Sequence, residues 1–189
     1  MTRSKREQLI ETAFDQFYPY GIHAVGINQI LSASGIAKKT LYTHFQSKEQ
    51  LIVDVVDYWD NRFVEWLATR LAVADTPLAL ANGLFDALED WQQGNEQQLP
   101  VYRGCFFVNT AGEFSNPAHQ VHQRCAQHKR RVRALLDYYL SDMGIAEAQR
   151  STWCDTLCLL KEGVMSNMHV EQDNQAPETA RRIVAELMR

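Results

Sequence analysis

Residues 27 to 51 read INQILSASGIAKKTLYTHFQSKEQL, and this stretch decides how the chain folds. Its apolar residues have the spacing of two short helices, about 27–33 and 38–45, separated by a tight turn at 34–36. Gly35 suits that turn because glycine adopts a positive φ without steric cost. Leu41 and Phe45 are four residues apart and are predicted to face inward, so the polar residues around them face outward. The pattern predicts a helix-turn-helix.

The second of these helices carries positive charge on its predicted outer face. A short cationic helix, held by apolar residues behind it, suits insertion into the major groove of DNA. Lys38 and Lys39 can donate hydrogen bonds to guanine, and the methyl group of Thr40 can contact thymine. Thr43 and His44 are predicted to face outward on the same helix. Residues 38–44 are therefore the candidate reading surface, and a helix-turn-helix that packs on protein instead is the alternative.

Residues 41 to 51, LYTHFQSKEQL, resemble the signature of the TetR family of one-component transcriptional regulators. The upstream spacing of Ala13, Phe17 and Gly21 fits the first helix of that family. The specific match covers about residues 4–52, and the rest of the chain agrees in the number and spacing of its helices.

The resemblance implies that Tyr42, His44 and Lys48 contact DNA phosphates. Lys48 also lies at the start of the next helix, where backbone N–H groups attract phosphate. Two positions depart from the family pattern. The chain has Gly26-Ile27 where the family usually has threonine, and Ala37 where it often has serine. Both changes remove a hydroxyl that could cap a helix or contact a phosphate.

Composition and charge restrict the class of protein. The chain has 189 residues, of which 46% are hydrophobic and 22% charged, which suits one large or two small domains and excludes disordered and collagen-like chains. Residues 1–50 carry a net charge of +2, and the remainder carries −6. Positive charge therefore lies with the helix-turn-helix, and the acidic remainder would repel DNA.

The sequence contains no segment typical of a leader peptide or a membrane span. The first residues are polar, and no apolar run approaches the roughly 18 residues that cross a bilayer. The four cysteines have neither zinc-ribbon spacing nor a secreted context. We expect a cytoplasmic protein with reduced thiols and no association with a membrane.

Helical periodicity continues through almost the whole chain and predicts an all-α fold. The resemblance implies a three-helix head over residues 1–46 that binds DNA and a six-helix body over residues 47–189 that binds ligand and dimerises. The first predicted helix begins at Ser4 with a capping box and ends at Pro19 and Gly21. The other predicted helices span residues 27–33, 38–45, 47–74, 77–94, 100–114, 117–142, 146–171 and 177 onward.

Aromatic residues on wide apolar arcs of the body could line a ligand cavity or form ordinary core. The resemblance implies a cavity among the body helices, and polar residues inside it could orient a small apolar effector. The candidate ligand-binding residues are Trp66, Tyr102, Cys105, Phe107, Asn109, His122 and Trp153.

Cys105 has two interpretations. It lies near the predicted start of a helix beside Arg103, where a thiol can become more acidic and react with oxidants or electrophiles. The sequence favours the other interpretation, an inert buried thiol, as free cysteines often are. His119, His122, Cys125 and His128 recur every third residue, a spacing that turns them away from a single point on a helix. A pair of them could bind a metal with a ligand from elsewhere in the fold, but we expect no metal. We also expect no cofactor and no catalytic residues.

The last two helices carry more apolar surface than one helix pair can cover. The resemblance implies that they form a four-helix bundle with a second copy of the chain. The candidate dimer-interface residues are Leu157, Leu160, Val164, Met168, Ile183, Val184 and Leu187.

The leading functional prediction is a ligand-responsive repressor that binds a palindromic DNA operator as a homodimer and is released by a small apolar molecule. A repressor that senses oxidants or electrophiles through Cys105 is the alternative. A helical protein-interaction module without DNA binding is a third hypothesis. A helical enzyme finds no support, because the sequence lacks zinc-protease, phosphate-loop and catalytic-triad patterns.

Overall fold

The computed structural model of the chain describes residues 3–188. Within these residues every regular element is an α-helix, which confirms the predicted all-α class and the number of nine helices. The helices are α1 (Lys5–Tyr20), α2 (Ile27–Ser34), α3 (Lys38–His44), α4 (Lys48–Leu71), α5 (Pro77–Gln92), α6 (Phe106–Glu113), α7 (Gln120–Asp142), α8 (Glu147–Val170) and α9 (Ala176–Leu187).

Local hydrogen bonds set both ends of α1. The Glu7 backbone N–H donates to the Ser4 hydroxyl (3.2 Å), and the Ser4 backbone N–H donates to the Glu7 carboxylate (2.9 Å), which confirms the capping box. The prediction that Pro19 helps to end this helix is wrong, because Pro19 lies inside the last turn. The end is set by Gly21, which has a φ of 83° and donates its N–H to the Phe17 carbonyl (2.8 Å).

The turn between α2 and α3 has the predicted form. Gly35 has a φ of 67°, and its N–H donates to a carbonyl in the last turn of α2 (3.0 Å). The Ile36 N–H donates to the Ser34 hydroxyl (3.2 Å), which closes the turn. Gly26 and Ala37 precede α2 and α3 and provide no side-chain cap. The two departures from the family pattern therefore leave these helix starts without the hydroxyl cap that threonine or serine could supply.

Two predicted helix starts in the second half of the chain are wrong. The helix predicted from residue 100 begins at Phe106, because Gly104 has a φ of 80° that an α-helix cannot contain. The Pro100 carbonyl instead accepts a hydrogen bond from the Trp91 indole (2.7 Å). The helix predicted from residue 117 begins at Gln120, after a turn in which the Asn116 side chain accepts from the Ala118 N–H (3.0 Å).

The described residues form two compact units. Unit 1 contains the chain up to Arg62 together with Phe106–His128, and unit 2 contains Phe63–Cys105 together with residues 129–188. The helix-turn-helix lies in unit 1, whereas α5, α8 and α9 lie in unit 2. The long helices α4 and α7 each contribute residues to both units. The sequence predicted that DNA binding belongs to residues 1–46 and that ligand binding and dimerisation belong to residues 47–189. This division of function stays a prediction.

The core of unit 1 is aromatic and includes one buried polar pair. Phe14 stacks on Trp59 with 4.6 Å between ring centroids and meets Phe106 edge-on at 5.3 Å. The carboxylate of Asp60 lies 2.7 Å from a ring nitrogen of His128, and both side chains are buried. This hydrogen bond satisfies polar groups that would otherwise be costly to remove from water.

The core of unit 2 is formed where α5 packs against α8 and α9. The ring of Trp91 lies 5.9 Å from Trp66 and 4.9 Å from Tyr102, both in edge-on arrangements. The Tyr102 hydroxyl donates to the Met165 carbonyl at 2.6 Å, which fixes the tyrosine against α8. The aromatic cluster therefore holds the segment before α6 in place.

Candidate functional site

The helix α3 presents the predicted residues on its outer face. Leu41 and Phe45 are 0% and 1% exposed, which confirms the predicted inward side. Thr40 is half-buried, so its methyl group is the least accessible of the candidate base contacts. The exposed side chains are Lys38, Lys39, Tyr42, Thr43 and His44. A rigid apolar base thus supports a polar, cationic surface, and its contact with DNA stays a prediction.

Thr43 has a defined role within the helix. Its hydroxyl donates to the Lys39 carbonyl one turn earlier (3.0 Å). The side-chain methyl group is consequently the outward part of this residue, and a methyl group recognises thymine rather than phosphate.

Lys48 makes a contact that the sequence did not predict. Its ammonium group donates to the Ile22 carbonyl at 2.8 Å and lies 5.8 Å from the centre of the Phe17 ring. Burial lowers the pKa of Lys48, and the Glu113 carboxylate offsets part of that shift. One of the three N–H donors of Lys48 is therefore committed to the protein itself, and the predicted phosphate contact would use the others.

Glu113 holds the other side of the same peptide segment. Its two carboxylate oxygens accept hydrogen bonds from the backbone N–H groups of Ile22 (2.8 Å) and His23 (2.6 Å). Lys48 and Glu113 thus bind the carbonyl and amide groups of the segment that leads from α1 into α2. We call this arrangement the head anchor. No sequence signal indicated it, because Glu113 and Ile22 are far apart in the chain.

An ion pair also links two helices of the helix-turn-helix region. The Arg6 guanidinium donates to the Asp54 carboxylate at 2.6 Å and lies 5.4 Å from the centre of the Phe45 ring. The first turn of α1 and the second turn of α4 are therefore tied together, and Arg6 also packs on Phe45 at the end of α3. These contacts position the helix that carries the candidate reading surface.

The predicted ligand-binding residues belong to both compact units. Trp66 and Phe107 are buried, and Phe107 stacks face to face on His128 with 3.5 Å between ring centroids. Asn109 is exposed, and a ring nitrogen of His122 lies 2.8 Å from the Phe114 carbonyl. Trp66, Tyr102, Cys105 and the half-buried Trp153 lie in unit 2, whereas Phe107, Asn109 and His122 lie in unit 1.

One cavity in unit 2 includes Tyr102. Its volume is about 500 Å³, within the range of small-molecule sites. The sequence reasoning missed the other lining residues, because it searched for apolar arcs and they are mostly polar residues near helix ends: Gln92, Gln93, Met168, His169, Gln172 and Asn174.

Cys105 contacts a cation that the sequence reasoning did not name. The Lys129 ammonium lies 3.4 Å from the Cys105 sulfur and donates to both carboxylate oxygens of Glu162 at 2.7 Å. The prediction named Arg103 because it is adjacent in sequence, whereas α7 brings Lys129 to the thiol. Burial opposes the charged form of Lys129, but Cys105 and Glu162 together outweigh it and raise the pKa of this lysine.

Glu162 also binds a fully buried lysine. The Lys161 ammonium donates to Glu162 at 2.5 Å, and Lys161 is 1% exposed. Burial alone would raise the pKa of Glu162, but Lys161 and Lys129 lower it to about 2. For comparison, burial raises the pKa of Cys154 to about 11, so that thiol is protonated at neutral pH.

The predicted dimer-interface residues divide into two groups. Leu157, Val164, Met168 and Val184 are buried within the chain itself, so they are core residues rather than an exposed face. Leu160 is half-buried, whereas Ile183 and Leu187 are exposed. The sequence reasoning missed two exposed apolar side chains of α8, Leu159 (75% exposed) and Val170 (74% exposed).

Neither a membrane segment nor a metal centre is found in residues 3–188. No helix there is long and apolar enough to cross a membrane. The same part of the chain contains no group of three or more histidine, cysteine, aspartate or glutamate side chains arranged to hold a metal ion.

An all-helical chain with an exposed cationic second helix in a helix-turn-helix belongs to the class of DNA-binding regulators. The comparisons with known proteins agree. Residues 9–55 match the model of bacterial regulatory proteins of the tetR family, and residues 82–184 match the tetracyclin repressor-like C-terminal domain. The chain belongs to the TetR family of transcriptional regulators, which are not enzymes.

Among curated proteins, the chain is similar to the transcriptional repressor KstR2 of Mycolicibacterium smegmatis, with 32% identity over 104 residues. That match covers 53% of this chain and 49% of the repressor. The regulator YxaF of Bacillus subtilis is 43% identical over 63 residues, 33% of this chain and 32% of YxaF. The chain thus spans about half the length, or less, of these curated relatives.

Solved structures extend the similarity over the whole fold. A TetR-family transcriptional regulator from Streptomyces coelicolor has a TM-score of 0.78 and 25% identity, with 95% of each chain covered. The reduced form of Escherichia coli NemR has a TM-score of 0.79 and 19% identity, and covers 96% of this chain and 95% of NemR. The NemR likeness shows the fold alone.

Proposed function

We propose that the chain is a repressor that binds a palindromic DNA operator as a homodimer and that a small molecule releases it. The observation that carries the proposal is α3, whose lysines are exposed while Leu41 and Phe45 are buried behind them. Repression is favoured because KstR2, among the similar proteins, is named a repressor. FasR of Mycolicibacterium smegmatis, another similar protein, is named an activator. Measuring transcription of the regulated genes with and without the protein therefore has to distinguish repression from activation.

Dimerisation rests on the exposed apolar side chains of α8 and α9. Leu159 and Val170 are 75% and 74% exposed on α8, and Ile183 and Leu187 are 36% and 60% exposed on α9. Gly163 lies between the two α8 residues, and open space surrounds the position that a Cβ atom would take. A partner helix can therefore approach α8 closely, and a two-fold pair would present two α3 helices to the two halves of a palindrome.

The effector acts through α4 in this proposal. The first turn of α4 contains Lys48 of the head anchor, and the last turns of α4 contribute to unit 2. A ligand that binds the DNA-free form more tightly must weaken DNA binding by the same factor. The sequence predicted an apolar effector, and that chemistry stays a prediction.

The test of DNA binding compares the wild type with Lys39→Ala. If Lys39 reads a base, the loss is about 1–3 kcal/mol of binding free energy and a relaxed base preference, whereas a phosphate contact gives a smaller loss and a shallower salt dependence. Arg130→Ala is the matched control, because it removes one exposed positive charge from α7 within unit 2. Wild-type protein that prefers no duplex sequence would support the protein-interaction hypothesis instead.

A thiol sensor is the second candidate function, and the contact between Lys129 and Cys105 favours it. The Lys129 ammonium lies 3.4 Å from the Cys105 sulfur, and cysteine reacts with oxidants and electrophiles through its sulfur. Cys105→Ser should retain DNA binding and lose any response to oxidants or electrophiles. Lys129→Met should slow alkylation of Cys105 without removing the thiol. An equal response in Cys105→Ser and the wild type would exclude this function.

A further inference from the structure

The cavity of unit 2 has an unusual chemistry for an effector site. It is about 500 Å³ in volume and is lined by side chains from the end of α5, the segment before α6, and the end of α8 with the turn that follows. The lining contains four side-chain amides, a phenol and an imidazole, but no aspartate, glutamate, lysine or arginine. We call it the amide cavity.

The amides offer paired donors and acceptors without a fixed charge. The Gln92 amide nitrogen donates to the Asn174 carbonyl oxygen at 2.7 Å, and the Gln92 carbonyl oxygen is buried with no hydrogen-bond partner. A buried acceptor without a donor destabilises the empty state. A shift of the Gln92 side chain that exposes this oxygen to the cavity would let a ligand hydroxyl or amide N–H donate to it.

Two side chains that line the amide cavity, His169 and Tyr102, make close contacts with the residues around them. At Gly104, where φ is 80°, an added Cβ atom would lie 2.8 Å from the His169 ring, so only glycine allows His169 its position. Tyr102 is fixed by its hydrogen bond to Met165 and by edge-on contact with Trp91. Its side chain lines the cavity together with the amides.

The turn after α8 adds a strained residue to the rim. Gln172 has a φ of 55°, a left-handed conformation that side chains other than glycine adopt at a cost. Its amide nitrogen donates to the His169 carbonyl at 2.7 Å, which fixes this conformation.

From these observations we infer that the amide cavity binds a small, neutral ligand rich in hydroxyl groups, of the sugar or polyol class. Amide side chains can donate to and accept from each hydroxyl group, while the Tyr102 ring can pack on the C–H face of such a molecule. A strongly charged ligand would lose its hydration without gaining an opposite charge. The assignment of this ligand as the effector rests on the proposed function, whereas binding itself does not.

The test uses the full chain labelled with ¹³C at the methionine methyl groups. Met168 lines the amide cavity, whereas Met143 is remote in sequence from every lining residue and serves as a reference. The probes are glucose, mannitol and myo-inositol, with glucuronate and glucosamine as charged counterparts of glucose and indole as an apolar probe. We expect saturable shifts of the Met168 methyl signal with at least one neutral polyol and not with glucuronate, glucosamine or indole.

Substitution locates the site. Gln92→Met removes the amide at nearly constant size and should weaken the binding of that polyol at least tenfold, whereas Gln149→Met, an exposed residue of α8, should leave it unchanged. Gln93→Met should also weaken binding and guards against a Gln92 variant that folds poorly. No Met168 shift with any neutral polyol, tighter binding of indole or charged sugars, or full affinity in both cavity variants would overturn the inference.

DNA binding distinguishes this inference from the proposed function. If the chain binds its operator but no polyol shifts the Met168 methyl signal, the inference about the amide cavity fails while the proposed function as a DNA-binding regulator stands. If a polyol binds but leaves operator affinity unchanged, the cavity is a ligand site and its role as the effector site fails.

Discussion

Replacing Glu113 tests whether the head anchor positions the helix-turn-helix. Glu113→Ala removes the acceptor of two backbone N–H groups, at 2.8 Å from Ile22 and 2.6 Å from His23. A hydrogen bond to a charged group contributes about 1.5–3 kcal/mol net. His23 is exposed, so its backbone N–H can donate to water when the carboxylate is lost. The hydrogen bond from His23 therefore contributes little to the loss of stability. We therefore expect the free energy of unfolding to fall by about 2 kcal/mol.

The variant should lose DNA affinity as well as stability. The anchored segment leads directly into α2, so its release allows α2 and α3 to move relative to α1. Glu113→Gln keeps one acceptor oxygen and should lose roughly half as much stability as Glu113→Ala. Urea unfolding and fluorescence anisotropy with a labelled operator measure the two effects, with the exposed Glu186→Ala as the control. Unfolding of Glu113→Ala within about 0.5 kcal/mol of the wild type would refute this reasoning.

Three further predictions address the body. Leu159→Glu places a charge on the exposed face of α8 and should give a folded monomer, which light scattering would detect. A dimer unchanged by this substitution would show that this face of α8 is not the dimer interface. The pKa of Glu162 is lowered to about 2 in the folded chain. Its contribution to stability is therefore complete above about pH 4.5 and is lost as the pH falls toward 2. The difference in the free energy of unfolding between the wild type and Glu162→Gln should shrink as the pH falls through that range. Limiting iodoacetamide should label Cys105 before Cys154, whose pKa is raised to about 11, and the reverse order would mark Cys105 as an inert core residue.

The sequence predicted the helix-turn-helix because every feature of that element is local. The spacing of Leu41 and Phe45 and the turn at Gly35 lie within a few residues of one another. The same local information placed most helix ends within a few residues.

The candidate sites depended on contacts that have no local pattern. A wide apolar arc does not show which side faces the chain's own core, so buried Leu157 was predicted as interface while exposed Leu159 was missed. Glu113 meets Ile22 only after α6 packs beside α1. The amide cavity consists of polar residues near helix ends, which in a sequence look like solvent-exposed surface.

Lys48 shows how one residue can serve two roles. The resemblance implied a phosphate contact, and the structure adds a hydrogen bond to the Ile22 carbonyl. Substitution of Lys48 would therefore change stability and DNA affinity together. Lys39 is exposed on α3, so it isolates the contribution of the reading surface.

The central claim is that two copies of α3 read DNA in a two-fold dimer. Selection of bound duplexes from a random library, with the wild type and Lys39→Ala in parallel, tests it most directly. We predict that the wild type enriches an inverted repeat whose half-sites are spaced for two recognition helices in successive major grooves, and that Lys39→Ala loses preference at the same base in each half. Recovery of no repeated sequence by the wild type, or of an identical site by both proteins, would contradict the account.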